Sequence, residues 1–140
     1  MHTFKLVATA LASTALLAAP TVSADANAES VEAKTKGQIK LEKMLKGRVS
    51  GDPQSCIPIR PTTDVTIIDG TAIVYRSGGT LYVNTTADPE QIDDDDTLVR
   101  RTSMGHRLCK TDIITTIDRH NGFFTGSINL VDFVPYRKAE

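Results

Sequence analysis

Val65-Thr66-Ile67-Ile68-Asp69-Gly70-Thr71-Ala72-Ile73-Val74-Tyr75-Arg76-Ser77-Gly78-Gly79-Thr80-Leu81-Tyr82-Val83-Asn84 is the stretch that sets the fold class. Its apolar runs are short, rich in Val, Ile, Thr and Tyr, and punctuated by Asp69-Gly70 and Ser77-Gly78-Gly79. β-branched and aromatic side chains suit a pleated, half-buried surface. Asp-Gly is a strong hairpin signal, because both residues of a type I′ turn need positive φ. The reading is strand, two-residue turn, strand, second turn, strand, which is a meander.

A longer connection, 85–96, leads to a second β group. It comprises Thr97 to Arg101, Arg107-Leu108-Cys109, Asp112 to Ile117 and, after Asn121-Gly122, Ser127 to Leu130 followed by the apolar end Val131 to Val134. Several short strands joined by Gly- and Asx-rich turns predict a mainly β domain, 48–140. Its expected form is a small antiparallel barrel or curled sheet of about six short strands, with a short N-terminal helix and one disulfide. The pattern shows no βαβ alternation, which argues against a nucleotide-binding α/β fold.

Upstream of the strands, Thr35-Lys36-Gly37-Gln38 fits a capping box, and Leu41, Met44 and Leu45 follow at i, i+3 and i+4. Gly47 is a suitable helix stop. A short helix is therefore expected over 36–47. Its apolar stripe must dock, because an isolated helix of this length is marginal in water. Pro53, Pro58 and Pro61 predict an irregular entry around Cys56.

The N-terminus carries Lys5, an apolar run from Leu6 to Ala19, then Pro20 and the small residues Ser23 and Ala24 before Asp25. This is the form of a secretory signal peptide over 1–24, cleaved between Ala24 and Asp25. The apolar run of about 14 residues spans ~21 Å as a helix, short of a ~30 Å hydrocarbon core. Residues 25–35 are almost devoid of large apolar side chains and are expected to form a flexible tail. The expected address is periplasmic or secreted, with no transmembrane segment after cleavage. The chain has 140 residues and net charge −1, and loss of Lys5 makes that −2, so there is no electrostatic case for nucleic acid.

Beyond these elements, the chain carries Leu45-Lys46-Gly47-Arg48, Cys56-Ile57, Ile68 to Tyr75, Leu81 to Asn84, Leu108-Cys109 with Asp112, Asp118-Arg119, Gly122-Phe123 and Phe133-Val134-Pro135-Tyr136. As a set these strings resemble an uncharacterised group of small exported proteins from alphaproteobacteria, chiefly of sphingomonad type, over roughly 45–136. The resemblance implies a Gram-negative envelope address and no assigned activity.

Cys56 and Cys109 are the two cysteines, and in an exported chain they are most simply one disulfide tying the two β groups together. A redox couple lacks its Cys-x-x-Cys, and a Cys109 nucleophile near His106 would leave Cys56 unexplained. The run Asp88 to Asp96 is acidic but lacks the spacing and glycine of a calcium loop. Its adjacent side chains are expected to diverge, leaving a solvated loop, so no metal or cofactor is assigned. His106 and His120 stand in turn-like segments without metal-ligand spacing. Arg100, Arg101, Arg107, Lys110 and Arg119 crowd the second β group. They could face an anionic partner, either an envelope protein or a surface polymer such as lipopolysaccharide, or pair with the acidic loop. The sequence thus favours a non-catalytic envelope binding or structural module. The alternative is a periplasmic hydrolase using His106 or His120 with a carboxylate.

Overall fold

The computed structural model describes residues 34–59, 63–101 and 105–140. The signal peptide, its Ala24–Asp25 cleavage site and most of the expected tail lie outside the described residues. Helix α1 (Lys36–Leu45) begins at Thr35, whose side chain accepts from the Gln38 N–H while the Gln38 side chain accepts from the Thr35 N–H. The predicted capping box is thus present. Gly47, at φ 72°, follows the Lys46 C-cap in the left-handed conformation that glycine tolerates best.

The strands follow in chain order: β1 (Arg48–Ser50), β2 (Cys56–Pro58), β3 (Thr63–Ile68), β4 (Ala72–Ser77), β5 (Thr80–Asn84), β6 (Asp96–Arg101), β7 (Arg107–Cys109), β8 (Ile113–Asp118), β9 (Phe124–Asn129) and β10 (Val134–Lys138). They form three antiparallel sheets, in the orders β1-β10-β5-β4-β3, β2-β7 and β6-β8-β9. None closes into a barrel, so the curled-sheet form is the one adopted, with ten described strands in place of about six.

The meander β3-β4-β5 is present. Its first connection is wider than expected: Ile68 pairs with Ala72, leaving Asp69, Gly70 and Thr71 in the turn. Only Gly70, at φ 55°, has positive φ there, because the Thr71 N–H closes back onto the Ile68 carbonyl (3.0 Å). The second connection is a true two-residue turn between paired Ser77 and Thr80, with Gly78 at φ 57°. Positive φ at the first turn residue alone is the type II′ pattern.

Strands β4 and β5 are buried on both faces, and their pleat sorts two cores. Ala72 and Val74, with Leu81, Val83 and Ile68, face α1, and Leu41, Met44 and Leu45 pack onto them. A buried aliphatic side chain contributes about 1.5–3 kcal/mol, so partial burial of three outweighs the marginal stability of a free ten-residue helix. The helix approaches so closely that a Cβ on Gly37 would stand 1.9 Å from Thr71 Oγ1 and 2.8 Å from the Asp69 carbonyl oxygen. Glycine is therefore required at that contact despite its poor helix propensity.

The opposite face carries Ile73, Tyr75 and Tyr82. It packs against Ile57 and Leu108 from the β2-β7 ribbon and against Ile114 and Ile128 from the β6-β8-β9 sheet, with Phe133 at its centre. The long connection is not wholly solvated. Ile92 is inserted into this core, and the Gly70 N–H donates to its carbonyl (2.9 Å).

Candidate functional site

Cys56 and Cys109 are bonded to each other and pair directly across β2-β7, with Cα atoms 3.9 Å apart. The Lys110 N–H to the Ser55 carbonyl and the Ile59 N–H to the His106 carbonyl flank the pair, so the cysteines occupy a non-hydrogen-bonded position, where opposed strands come closest. The Cys109 N–H turns outward to Asp112 Oδ2 (2.9 Å). Both thiols are consumed, which removes the Cys109 nucleophile with its His106 neighbour.

The structure disperses the five-residue basic cluster. Lys110 forms an ion pair with Asp132 (2.9 Å), which also accepts from Ser55 Oγ (3.1 Å). Arg119 stands beside the acidic run but bonds the main-chain carbonyls of Asp94 (3.0 Å) and Asp96 (3.5 Å), not their carboxylates. Asp96 pairs with Asp118 at one end of the β6-β8 ladder and Arg101 with Ile113 at the other. A six-residue strand is roughly 17 Å long, so Arg119 is separated from Arg100 and Arg101 by that length. Arg107 opens β7 near Arg100, and the Arg100 Nη1 donates to its carbonyl (3.4 Å). Arg100, Arg101 and Arg107 are what remains of the cluster at one end of the domain.

The histidines are likewise separated, His106 preceding β7 and His120 following β8. The carboxylate nearest His120 is occupied. Asp118 Oδ1 accepts the N–H groups of His120 (2.7 Å) and Asn121 (2.9 Å), capping the turn. These main-chain bonds, Asn121 first and His120 next, hold the Asp118 carboxyl below its ordinary range, with desolvation opposing. A carboxylate spent on main-chain donors is not poised as a base.

In the acidic run the expected divergence does not occur. Carboxylate oxygens of Asp93, Asp94 and Asp95 all lie within 4.8 Å of one another. The cause is a tight turn in which Asp93 Oδ1 accepts the Asp95 N–H (2.8 Å) and the Asp93 carbonyl accepts the Asp96 N–H (3.3 Å). Asp96 itself turns inward and accepts from Thr125 Oγ1 (2.9 Å). Calcium takes six to eight oxygens, and three exposed carboxylates supply only part of such a set.

The site that sequence reasoning missed is a cavity of about 240 Å3 between the meander and the β6-β8-β9 sheet. Tyr75 and Val65, paired across β3-β4, form one wall. Leu98, Arg100 and Ile114 form the facing wall, Arg100 and Ile114 being register partners. Ile59 and Leu108 close the third side from the β2-β7 ribbon. Val65, 47% exposed, stands at the rim. The Tyr75 hydroxyl is buried and has no hydrogen-bond partner among the described residues. Burial pushes its pKa far above the usual phenol range, against a smaller opposing pull from the Arg100 charge, so it stays a neutral donor.

Compared with known proteins, the chain matches no family model, no curated protein and no solved structure.

Proposed function

We propose that this is an exported, non-catalytic binding module of the cell envelope, and that its ligand seat is the cavity between the two large sheets. The observation that carries the reading is a concave, mostly aliphatic cavity with Arg100 in its wall. A small concave, mostly apolar space with one or two convergent polar groups is the general form of a small-molecule site. Its charged lining residue, Arg100, carries a guanidinium that donates hydrogen bonds, holds positive charge and is no base at neutral pH.

Export is supported by the Cys56–Cys109 bond, since disulfides persist in oxidising compartments. Among the described residues no helix is long and apolar enough to cross a membrane. An intact mass starting at Asp25 or Asn27 is expected for native protein, and a mass retaining Met1 would refute the export reading.

The competing hydrolase is tested by replacing His106 and His120 together with Ala, alongside Arg100→Gln. In a strain lacking the protein, the folded double-histidine variant is expected to restore the wild-type phenotype and the arginine variant to fail. The reverse outcome would make the histidine-dependent hydrolase the better reading.

A further inference from the structure

Resting on the binding reading above, we infer that the cavity belongs to a peptide site: an extended segment of a partner protein adds as a strand to the free edge of β3, seats one large apolar side chain in the cavity, and presents an acidic residue to Arg100. The edge comes first. β3 is the outermost strand of the five-stranded sheet and pairs with β4 alone. Among the described residues, no main-chain hydrogen bond outside that ladder engages Asp64 to Ile67. A strand turns its N–H and C=O groups to its two sides by turns, so the outer set along β3 is open to a further strand.

That edge borders the cavity. Val65 lies on β3, lines the cavity and is 47% exposed at its rim. A segment laid beside β3 continues its pleat, so every second side chain falls on the face that Val65 shares with Tyr75, the cavity face. Strand addition draws affinity from main-chain bonds along an edge and specificity from pockets that take alternate side chains. The other edges fit less well. β1 has three residues, and the Ala87 N–H already occupies the Asn129 carbonyl at the end of β9. β6, in the facing wall, ends in Arg100 and Arg101, and charged side chains discourage strand pairing.

Volume and charge define the partner. About 240 Å3 exceeds the ~150 Å3 cavity that holds one benzene molecule, so one Phe, Leu or Met side chain enters. Arg100 retains free donors, because its one described bond, from Nη1 to the Arg107 carbonyl, is long at 3.4 Å. Exposed Arg101 and Arg107 stand at the same end of the domain, and this positive field selects an acidic residue over a basic one. The carboxylate on β3, Asp64, is paired across the ladder with Arg76 on the opposite face and does not cancel that field. Side chains two apart on a strand share a face at a spacing of about 7 Å, which places the acidic residue two positions from the apolar anchor.

The test is selection from a phage-displayed library of random heptapeptides on the oxidised, folded wild-type protein, followed by calorimetry with the enriched peptide synthesised with blocked ends. The expected consensus is a large apolar residue with Asp or Glu two positions away. N-methylation scanned along the peptide should abolish binding at alternate residues alone, because every second N–H faces β3. Val65→Phe should abolish binding by filling the mouth. Arg100→Gln should weaken the acidic peptide about tenfold and leave its uncharged amide counterpart little changed. N-methylation tolerated throughout would overturn strand addition, and a consensus without an acidic residue would overturn the charge assignment. Binding unaffected by Val65→Phe would place the site elsewhere. Selection that enriches no peptide would overturn the peptide class. The cavity reading fails separately, if folded Val65→Phe restores the phenotype of a strain lacking the protein; if it does not, an empty selection leaves the cavity to a small apolar ligand.

Discussion

The Phe133 ring meets the Tyr75 ring edge-on, with centroids 5.8 Å apart and planes at 73°. Phe133 is fully buried at the centre of the larger core, and edge-to-face aromatic pairs favour this geometry. The contact fixes the Tyr75 ring, and with it the direction of a hydroxyl that no described residue satisfies.

The Cys56–Cys109 bond closes a loop that contains the whole meander. The chain-entropy treatment gives about 4 kcal/mol for a loop of this length, with native strain reducing it. Replacing either cysteine by Ser is expected to lower unfolding free energy by about 2–4 kcal/mol in urea denaturation. Retention of wild-type stability would show that the ribbon needs no covalent tie.

Asn84 is fully buried at the end of β5 and wires it to the chain entering β10. Its Nδ2 donates to the Val131 carbonyl (2.6 Å), while its Oδ1 accepts the Thr86 N–H (2.9 Å) and the Val131 N–H (3.2 Å). Asn84→Ala would leave three main-chain groups, one buried and two part-buried, without their side-chain partner at once. A loss of about 3 kcal/mol in the same denaturation assay is expected. A loss under about 1 kcal/mol would mean that water replaces the network.

How far the sequence reveals this architecture depends on how local the signal is. The meander was legible because alternation within β3 to β5 and the glycines at 70 and 78 are all short-range. Helix α1 was legible through Thr35 and Gln38. Strands β1 and β2 were not, since each has three residues and one large aliphatic side chain, Val49 or Ile57, and Pro53 lies between them. β10 was obscured by Pro135, which normally argues against a central strand. The proline is accommodated because its carbonyl accepts from the Gly51 N–H (2.8 Å), so its ring nitrogen also faces the end of β1 and the ladder to β5 loses no donor. Arg100 could be noticed as a charge. Tyr75 could be read only as a strand residue, because its cavity is assembled from segments around 59, 65, 98, 108 and 114 that no spacing rule connects.

Acid sensitivity should come from Asp132 and Asp118. Asp132 is held below its ordinary range chiefly by its hydrogen bond from Lys110, against desolvation, with Ser55 assisting. A carboxyl depressed on folding takes up its proton later than in the unfolded chain. Its contribution is therefore complete above the unfolded value of 3.8 and is lost as pH falls through the lower folded value. The urea midpoint is expected to fall as pH drops below about 4, and Asp132→Asn should make that fall shallower. An unchanged pH profile in the variant would show that the Lys110 pair is too solvated to matter.

The most direct test of the central claim is complementation by a folded Val65→Phe variant in a strain lacking the protein. Val65 is half-exposed at the cavity rim, so a phenyl ring there fills the mouth and leaves the buried core untouched. If the cavity is the ligand seat, the variant folds as wild type does and fails to restore the phenotype. Full restoration by the folded variant would contradict the assignment of this cavity as a binding site.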